Sequence, residues 1–380
     1  MLKVILSTDC IKYPLTGIGR YAYELAQQLQ DHNDIADLIF LNGLSVNREL
    51  PVAGESGKTS EGLKRRLQKS KLVSDIYRLT YPWLKSRAIK KYQDYVFHSP
   101  NYYIPPNTPH AVATFHDLSV FHWPEFHPKG RVHLMQKELA QTIKRAKILL
   151  TDSDYTRLEL AEYFDFEPNR IITAPLASSG QFFPHDKAET HRALDKFGLS
   201  HKKYLLYTGT IEPRKNVLTL LQAYENLPAE DKLTYPLVIS GYKGWENEAL
   251  LSLFDKGQRE GWLKYLGFTS SKDLPCLFSG AKAFIFPSIY EGFGLPVLEA
   301  MASGTPVICS NTTSLPEVAG EAALMAAPGD VDTFTQSIQR IIHDPSVEES
   351  MIERGLLQAR KFSWQHCAEK TLEAYKKAVG

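Results

Sequence analysis

The hydrophobic positions of this chain form short apolar runs, separated by longer segments in which apolar residues recur every three or four positions. The first run, KVILST at 3–8, precedes a helical pattern from about Gly19 to Gln30. Similar runs stand at 111–117, 146–153, 204–209, 237–241, 263–268, 283–288 and 306–310. Strands that alternate with helices predict parallel sheets covered on both faces, which is an α/β fold.

The alternation restarts near residue 203, after the segment APLASSGQFFPHD at 174–186, which is rich in Pro, Ser and Gly. A chain of 380 residues is also longer than one hydrophobic core usually serves. We therefore predict two doubly wound, Rossmann-like domains, residues 1–184 and 185–362, that face each other across a cleft. Ligands of such sheets bind beyond the carboxyl ends of the strands, so the polar residues at those ends are the candidates for function.

Composition narrows the class of protein. Apolar residues at 43% and charged residues at 23% are ordinary globular values. No run of about 18 apolar residues occurs, so no transmembrane helix is expected. The four cysteines lie far apart and include no C-x-x-C pair, which favours reduced thiols over disulfides or a zinc site and predicts a cytoplasmic protein.

The net charge of +1 is unevenly distributed. Residues 58–91 hold eleven basic side chains and only two acidic ones, with Tyr77, Tyr81 and Trp83 among them. Such a segment fits peripheral contact with the anionic inner face of a membrane, and it equally fits a solvated helix face. Nucleic acid is not expected, because no recognised binding motif accompanies the basic residues.

The segment TGIGRYA contains the G-x-G-x-x-A pattern, with Gly17 and Gly19 as its glycines. In a dinucleotide-binding fold this pattern follows the strand directly, whereas here eight residues, DCIKYPLT, intervene. A dehydrogenase is therefore a weak interpretation. The glycines still allow a ligand to approach the backbone closely, and the helix that follows favours an anion.

Two cations follow the first strand of the second domain. In TGTIEPRKN at 208–216, Arg214 and Lys215 precede a helix that we expect to begin near Asn216. Cations beside free helix amides suit a diphosphate, although a solvated basic turn is the alternative.

The segment EGFGLPVLE places Glu291 and Glu299 on either side of a glycine-rich turn that joins a strand to a helix at about Leu295–Met301. The amides of Gly294 and Leu295 are expected to point at a phosphate. Glu299 is expected to accept hydrogen bonds from a diol, as the acidic residue of dinucleotide folds does from ribose.

His116 and Asp117 end a strand of the first domain and should face the cleft. The histidines that follow show no metal-ligand spacing, so no metal is expected. Asp152-Ser153-Asp154 imitates a metal-binding DxD motif, but its place between a strand and a helix makes helix capping the stronger interpretation.

In chain order, TGIGRYA, FHDL, GTIEPRKN, EGFGLPVLE, ASGTPVI and LPEVAG resemble the motifs of the family 4 retaining glycosyltransferases, which have the GT-B fold. The resemblance is dense over 203–330 and thinner in the first domain. It implies transfer of a sugar from a nucleotide-sugar with retained anomeric configuration, without a metal or other cofactor. The closing segment FSWQHCAEKTLEAYKKA is similar to the family's last helix, which implies that 363–380 returns to the first domain.

The resemblance also implies roles for individual residues. Glu299 would hold the ribose and Glu291 the donor sugar, while Arg214 and Lys215 would bind the diphosphate and His116 would lie beside the sugar. The residues implied in donor binding are Gly17, Gly19, Gly209, Gly267, Phe268, Gly292, Phe293, Gly294, Leu295 and Glu299. Many members have Arg where this chain has Thr210, so here the positive charge that binds the diphosphate would come from Arg214 and Lys215.

EPRKN and SIYEGFGLP look most like bacterial mannosyltransferases of surface-polysaccharide assembly, such as that of lipopolysaccharide. This resemblance favours GDP-mannose as donor, ahead of UDP-sugars, and a glycan or lipid-linked acceptor. Two alternatives stay open: a GT-B-like sugar-nucleotide epimerase, and a sugar-nucleotide-binding module without activity.

Overall fold

We analysed a computed structural model, which describes residues 1–15, 17–51, 71–127, 129–244 and 248–380. The predicted membrane-binding segment, 58–91, therefore lies outside the described residues over 58–70. In the described part of the chain, no helix is both long and apolar enough to cross a bilayer.

The amino-terminal half builds a seven-stranded sheet in the order β3-β2-β1-β4-β5-β6-β7. All neighbours are parallel except β3, which runs antiparallel to β2. The strands are β1 Leu2–Ser7, β2 Ile35–Asn42, β3 Ser45–Asn47, β4 Val96–Ser99, β5 Ala111–Phe115, β6 Ile148–Thr151 and β7 Ile171–Thr173. The described helices of this half are α1 Gly17–Gln30, α2 Lys71–Ala88, α3 Ser119–His122, α4 Lys129–Arg145 and α5 Asp154–Phe164.

The second half builds a six-stranded parallel sheet in the order β10-β9-β8-β11-β12-β13. Its strands are β8 Leu205–Thr208, β9 Leu237–Ser240, β10 Leu263–Gly267, β11 Ala283–Phe286, β12 Val307–Ser310 and β13 Ala323–Ala326. Its helices are α6 Lys187–Asp195, α7 Val217–Glu225, α8 Ala229–Thr234, α9 Glu248–Arg259, α10 Leu274–Gly280, α11 Leu295–Ala302, α12 Leu315–Ala319, α13 Val331–His343 and α14 Pro345–Ala359. The predicted α/β architecture of two doubly wound sheets is confirmed.

The last helix, α15 Trp364–Val379, packs on the first sheet and on α1. Ser363 caps its start by accepting a hydrogen bond from the amide of His366. In its middle, the Tyr375 hydroxyl lies 2.7 Å from Nδ1 of the buried His98 on β4. Burial lowers the pKa of His98 to about 3, so this histidine is a neutral member of the core. The return of the chain to the first half thus completes that half's interior.

The two halves meet along the carboxyl ends of their strands. The Ser153 hydroxyl donates to the Gly292 carbonyl at 2.7 Å, and the Leu118 amide donates to the Tyr290 hydroxyl at 2.9 Å. The Glu317 carboxylate of α12 accepts the first amides of α5, where a negative charge is favoured by the helix dipole. This arrangement brings the loops after β11 and β12 against the loops after β5 and β6.

Candidate active site

The order of the second sheet reverses between β8 and β11, and the loops that follow these two strands meet at that point. Such a reversal opens a crevice at the sheet's edge, where ligands of doubly wound folds bind. Arg214 and Lys215 lie in a short 3-10 turn after β8, and Glu291 lies in the loop after β11. The sequence-predicted cations and carboxylate are therefore brought together.

Glu291 is buried and paired with both cations. Its Oε1 accepts from Lys215 Nζ at 2.5 Å, and its Oε2 accepts from Arg214 Nη1 at 3.3 Å. Arg214 also donates to the Tyr290 carbonyl at 2.8 Å and to Glu212 at 3.0 Å. The carboxylate predicted to contact the donor sugar thus holds the two cations in place.

The charged side chains of this cluster compensate one another. Burial works to raise the pKa of Glu291, yet Lys215 and Arg214 outweigh it, so the pKa of this carboxyl is lowered and it stays ionised. Burial lowers the pKa of Lys215, and the attraction of Glu291 offsets only part of that effect. Arg214 and Lys215 thus face two carboxylates, Glu291 and Glu212, and the four side chains together carry no formal net charge. An incoming diphosphate would find N–H donors that are already held in place.

The loop after β11 turns into α11 through Gly294, whose φ is +103°. A Cβ at this position would also lie 2.6 Å from Leu315 Cδ2, so both conformation and space favour glycine. Gly294 is the N-cap residue and supplies no side chain to cap the first amides of the helix. Leu295 opens the helix, and its amide is one of the groups predicted to meet a phosphate. The neighbouring Phe293 packs its buried ring against Phe362, so only its backbone is available to the cleft.

Gly292 lies at a close contact between the two halves. A Cβ added there would stand 1.6 Å from the carbonyl oxygen of His116, a distance that no packing allows. Its own carbonyl accepts hydrogen bonds from Ser153 and Thr156 of the first half. Gly292, predicted to bind donor, is in this structure one of the contact points between the halves.

The His116 side chain is fully engaged within the first half. Its Nε2 donates to the Pro100 carbonyl at 2.8 Å, and its Nδ1 is hydrogen-bonded to Asp152 Oδ2 at 2.7 Å. Burial works to lower the pKa of His116, but Asp152 and the Pro100 carbonyl raise it above its ordinary value. Neither ring nitrogen is therefore free to bind a hydroxyl of the sugar. The prediction that His116 lies beside the sugar rests only on its position at the cleft edge.

Glu299 lies on α11, about one turn into the helix. Burial raises the pKa of its carboxyl to about 8, and the positive charge of Arg20 works in the opposite direction. Arg20 belongs to α1, on the other side of the cleft, and also pairs with Glu24 at 3.7 Å. Sequence reasoning missed Arg20, although it directly follows the G-x-G pair.

The remaining predicted donor residues occupy the edges of the two sheets. Gly17 opens α1 with a positive φ, and Gly19 is buried two residues later. Gly209 follows β8, and Gly267 ends β10. Phe268 is 43% exposed and stacks on Tyr242, with ring centroids 5.2 Å apart. An exposed aromatic pair suits a base, and Tyr242 could have been found from its place just after β9.

Two other sequence interpretations can be compared with the geometry. Ser153 is the N-cap of α5 and accepts the Thr156 amide, which confirms the capping interpretation of Asp152-Ser153-Asp154. In the described ranges, no three His, Cys, Asp or Glu side chains converge as a metal site requires.

Two cavities flank the Arg214–Lys215–Glu291 cluster. One, of about 290 Å³, is lined by residues that include Ile18, Tyr102, Asp117, Glu212 and Arg214. The other, of about 790 Å³, lies between α5 and the loops after β11 and β12. Asp117 lines the smaller cavity at the predicted cleft edge, whereas the second cavity was not found from the sequence, because only the fold brings its walls together.

Comparison with known proteins fits this architecture. Residues 191–358 match the family described as glycosyl transferases group 1. The chain is 45% identical to O-antigen chain mannosyltransferase B of Escherichia coli over 379 residues, which cover 99% of this chain and 100% of the relative. This chain belongs to the group 1 glycosyl transferases.

Another relative and two solved structures are also similar to this chain. The serotype-specific mannosyltransferase WbdA of Escherichia coli is 36% identical over 253 residues, which cover 65% of this chain and 31% of WbdA. WaaG, a glycosyltransferase involved in lipopolysaccharide biosynthesis, superposes with a TM-score of 0.69 at 15% identity, over 98% of this chain and 99% of WaaG. Anabaena HepE in complex with UDP-glucose gives a TM-score of 0.71 at 14% identity, over 98% and 99% of the two chains. The predicted GT-B fold is thereby confirmed.

Proposed function

We propose that this glycosyltransferase moves mannose from GDP-mannose to a glycan or lipid-linked acceptor in cell-surface polysaccharide synthesis, with retention of configuration and without a metal. The observation that carries the proposal is the meeting of Arg214, Lys215 and the start of α11 at the reversal point of the second sheet. The choice of mannose is supported by the 45% identity to an O-antigen chain mannosyltransferase.

The chemistry follows from charge. When the bond between the sugar's C1 and the diphosphate oxygen breaks, negative charge grows on the leaving phosphate. Arg214, Lys215 and the first amides of α11 stabilise that charge more in the transition state than before it. Glu291 is held by both cations and is a poor candidate for a nucleophile. We expect the acceptor hydroxyl to attack C1 from the leaving group's face, while its proton passes to the leaving phosphate oxygen.

The test is product analysis with GDP-mannose, with and without acceptor. With acceptor, the expected products are GDP and an α-mannosylated glycan. Without acceptor, slow release of GDP and mannose is expected, since water replaces the acceptor. Conversion of the donor into a different sugar nucleotide would identify an epimerase instead. Donor binding without any turnover would identify an inactive binding module.

A thermal-shift panel of GDP, UDP, ADP and dTDP sugars tests which nucleotide the protein binds, because ligand at 100 times its Kd adds about 2.7 kcal/mol of stability.

The elevated pKa of Glu299 predicts how donor binding depends on pH. If its ionised carboxylate holds the ribose hydroxyls, only the deprotonated fraction binds well, so affinity rises as the pH increases through about 8. We expect GDP-mannose to bind roughly tenfold more tightly at pH 9 than at pH 7. Titration calorimetry should show this slope in the wild type and a flat profile in Glu299→Gln. Glu349→Gln, an exposed control on α14, should keep the wild-type slope.

We also propose that the protein is cytoplasmic and contacts the anionic inner face of the membrane through 58–91. Replacing Lys64, Arg65 and Arg66 with serine should weaken sedimentation with anionic vesicles roughly a hundredfold, at about 1 kcal/mol for each cation. Serine at the exposed Lys187, Lys203 and Lys272 removes the same charge from the second half and should leave binding unchanged. If both triple variants lost vesicle binding equally, the binding would depend on net charge and not on the segment 58–91.

A further inference from the structure

The larger cavity, which we call the α5 pocket, lies outside the predicted donor site. It is lined by residues of both halves, and its volume of about 790 Å³ falls within the range of ligand pockets, about 300–1,000 Å³. Five of its residues lie on α5 at helical spacing and form one face of that helix: Tyr155, Leu158, Glu159, Glu162 and Tyr163. None of the residues assigned to the donor contributes to its lining.

The lining of the α5 pocket has the chemistry of a carbohydrate site. Aromatic rings from Trp123, Tyr155 and Tyr163 line it beside the buried Tyr290. Glu162 supplies an exposed carboxylate, whereas the Glu159 carboxylate accepts from the Tyr290 hydroxyl and lies 3.3 Å from His122 Nε2. The negative face of an aromatic ring attracts the C–H bonds of a pyranose, and carboxylates accept hydrogen bonds from hydroxyls. The residues that line it include no Lys or Arg, in contrast to the smaller cavity with Arg214. A neutral polyhydroxyl ligand therefore fits this pocket better than a phosphate does.

The α5 pocket borders the catalytic loop. The buried Tyr290 lines the pocket, and its carbonyl accepts from Arg214 at 2.8 Å. Thr313 also lines the pocket, and its hydroxyl accepts the amide of Glu291 at 3.1 Å. Trp123 stacks on Phe126, which lines the smaller cavity, so the two cavities share this aromatic wall. A ligand in the α5 pocket would contact residues that position Glu291 and Arg214.

We propose that the α5 pocket is a second glycan-binding site, which holds mannose residues of the growing acceptor away from the hydroxyl that reacts. This inference rests on the proposed mannosyltransferase function. A site of this kind would keep a long acceptor attached between transfers, because one part of the chain stays bound while its end moves. Short acceptors would gain nothing from it.

The experiment measures glycan binding without donor. Wild-type protein is titrated calorimetrically with a set of α-mannotetraoses that covers the possible linkages. At least one is expected to bind, and Tyr163→Ala should weaken that binding about tenfold through lost stacking. Phe183→Ala is the matched control, since the two rings are 47% and 45% exposed. Glu162→Gln keeps the side chain's shape and should weaken binding about fivefold, whereas Glu353→Gln on α14 should not.

Each result decides between specific alternatives. GDP-mannose binding should be unchanged in all four variants, and thermal unfolding should show that each is folded. Wild-type protein that turns over GDP-mannose but binds no mannotetraose would overturn the second site and leave the proposed function standing. So would glycan binding that Tyr163→Ala and Glu162→Gln leave intact. A wild-type dimer that Tyr163→Ala converts to monomer would make the pocket an interface between copies. Failure of the proposed function would appear separately, as loss of GDP-mannose turnover in the wild type.

Discussion

Replacing Gly292 with alanine is expected to lower turnover by about a hundredfold or more. The new Cβ would stand 1.6 Å from the His116 carbonyl oxygen, so the two halves cannot close as they do here. Misplacing reacting groups by about 1 Å can cost a hundredfold in rate. Because the donor-side cluster of Arg214, Lys215 and Glu291 lies within the second half, the variant should still bind GDP-mannose.

Gly329→Ala is the control for this variant, since a Cβ there meets nothing within 4 Å. It should keep wild-type turnover and thermal stability. Small-angle scattering should show a larger radius of gyration for Gly292→Ala than for the wild type. A variant with normal turnover would mean that the reaction proceeds in an arrangement other than this closed one.

Replacing Lys215 with alanine should lower kcat by about a hundred- to a thousandfold, because one such donor is typically worth about 2.7–4 kcal/mol in the transition state. The Kd of GDP-mannose should change much less, since the full charge develops only as the bond breaks. Single-turnover kinetics measures the first effect and titration calorimetry the second. Equal losses in rate and affinity would contradict a role specific to the transition state.

Removing Lys215 also leaves the buried Glu291 with Arg214 alone, which is expected to raise the pKa of Glu291 and to destabilise the fold. Lys215→Met, which keeps the hydrocarbon stem, separates packing from charge and should lose turnover to a similar extent. Lys272→Ala, an exposed lysine of the same half, should change neither turnover nor stability. Thermal unfolding of all three variants shows how much of any loss comes from instability.

Sequence patterns were informative where a strand is a clean apolar run. VICS at β12 and AFIF at β11 are buried throughout, and such continuous apolar runs allowed the strands of the second sheet to be predicted. Strands β2, β3, β4, β7 and β13 were not predicted. β4 contains His98, whose polarity is compensated by Tyr375 from the far end of the chain. β13 reads ALMA, which carries no β-branched residue, and β3 and β7 are only three residues long. The strand character of β3, β4 and β13 comes from neighbouring strands rather than from a local pattern, whereas β2, IADLIFLN, does contain an apolar run.

In the candidate site, the positions of residues could be predicted from the sequence better than their contacts. Residues at strand ends, such as Arg214, Lys215 and Glu291, could be picked out because chain order fixes which sheet edge they occupy. The contacts that each of these side chains makes could not be predicted from the sequence. Glu291 turned inward to the cations, and His116 turned to Asp152, because burial of charge demands a partner within reach. The α5 pocket depends on how two halves close, which no local pattern encodes.

The return of α15 to the first sheet has a practical consequence for domain exchange. The final sixteen-residue helix belongs, by its contacts, with the strands at the other end of the chain. A chimera that imports a donor half from another enzyme should therefore end its graft before Ser363. A graft carried through to Gly380 would bring a foreign helix against His98 and α1, and we would expect such a hybrid to fold poorly even with a sound catalytic centre.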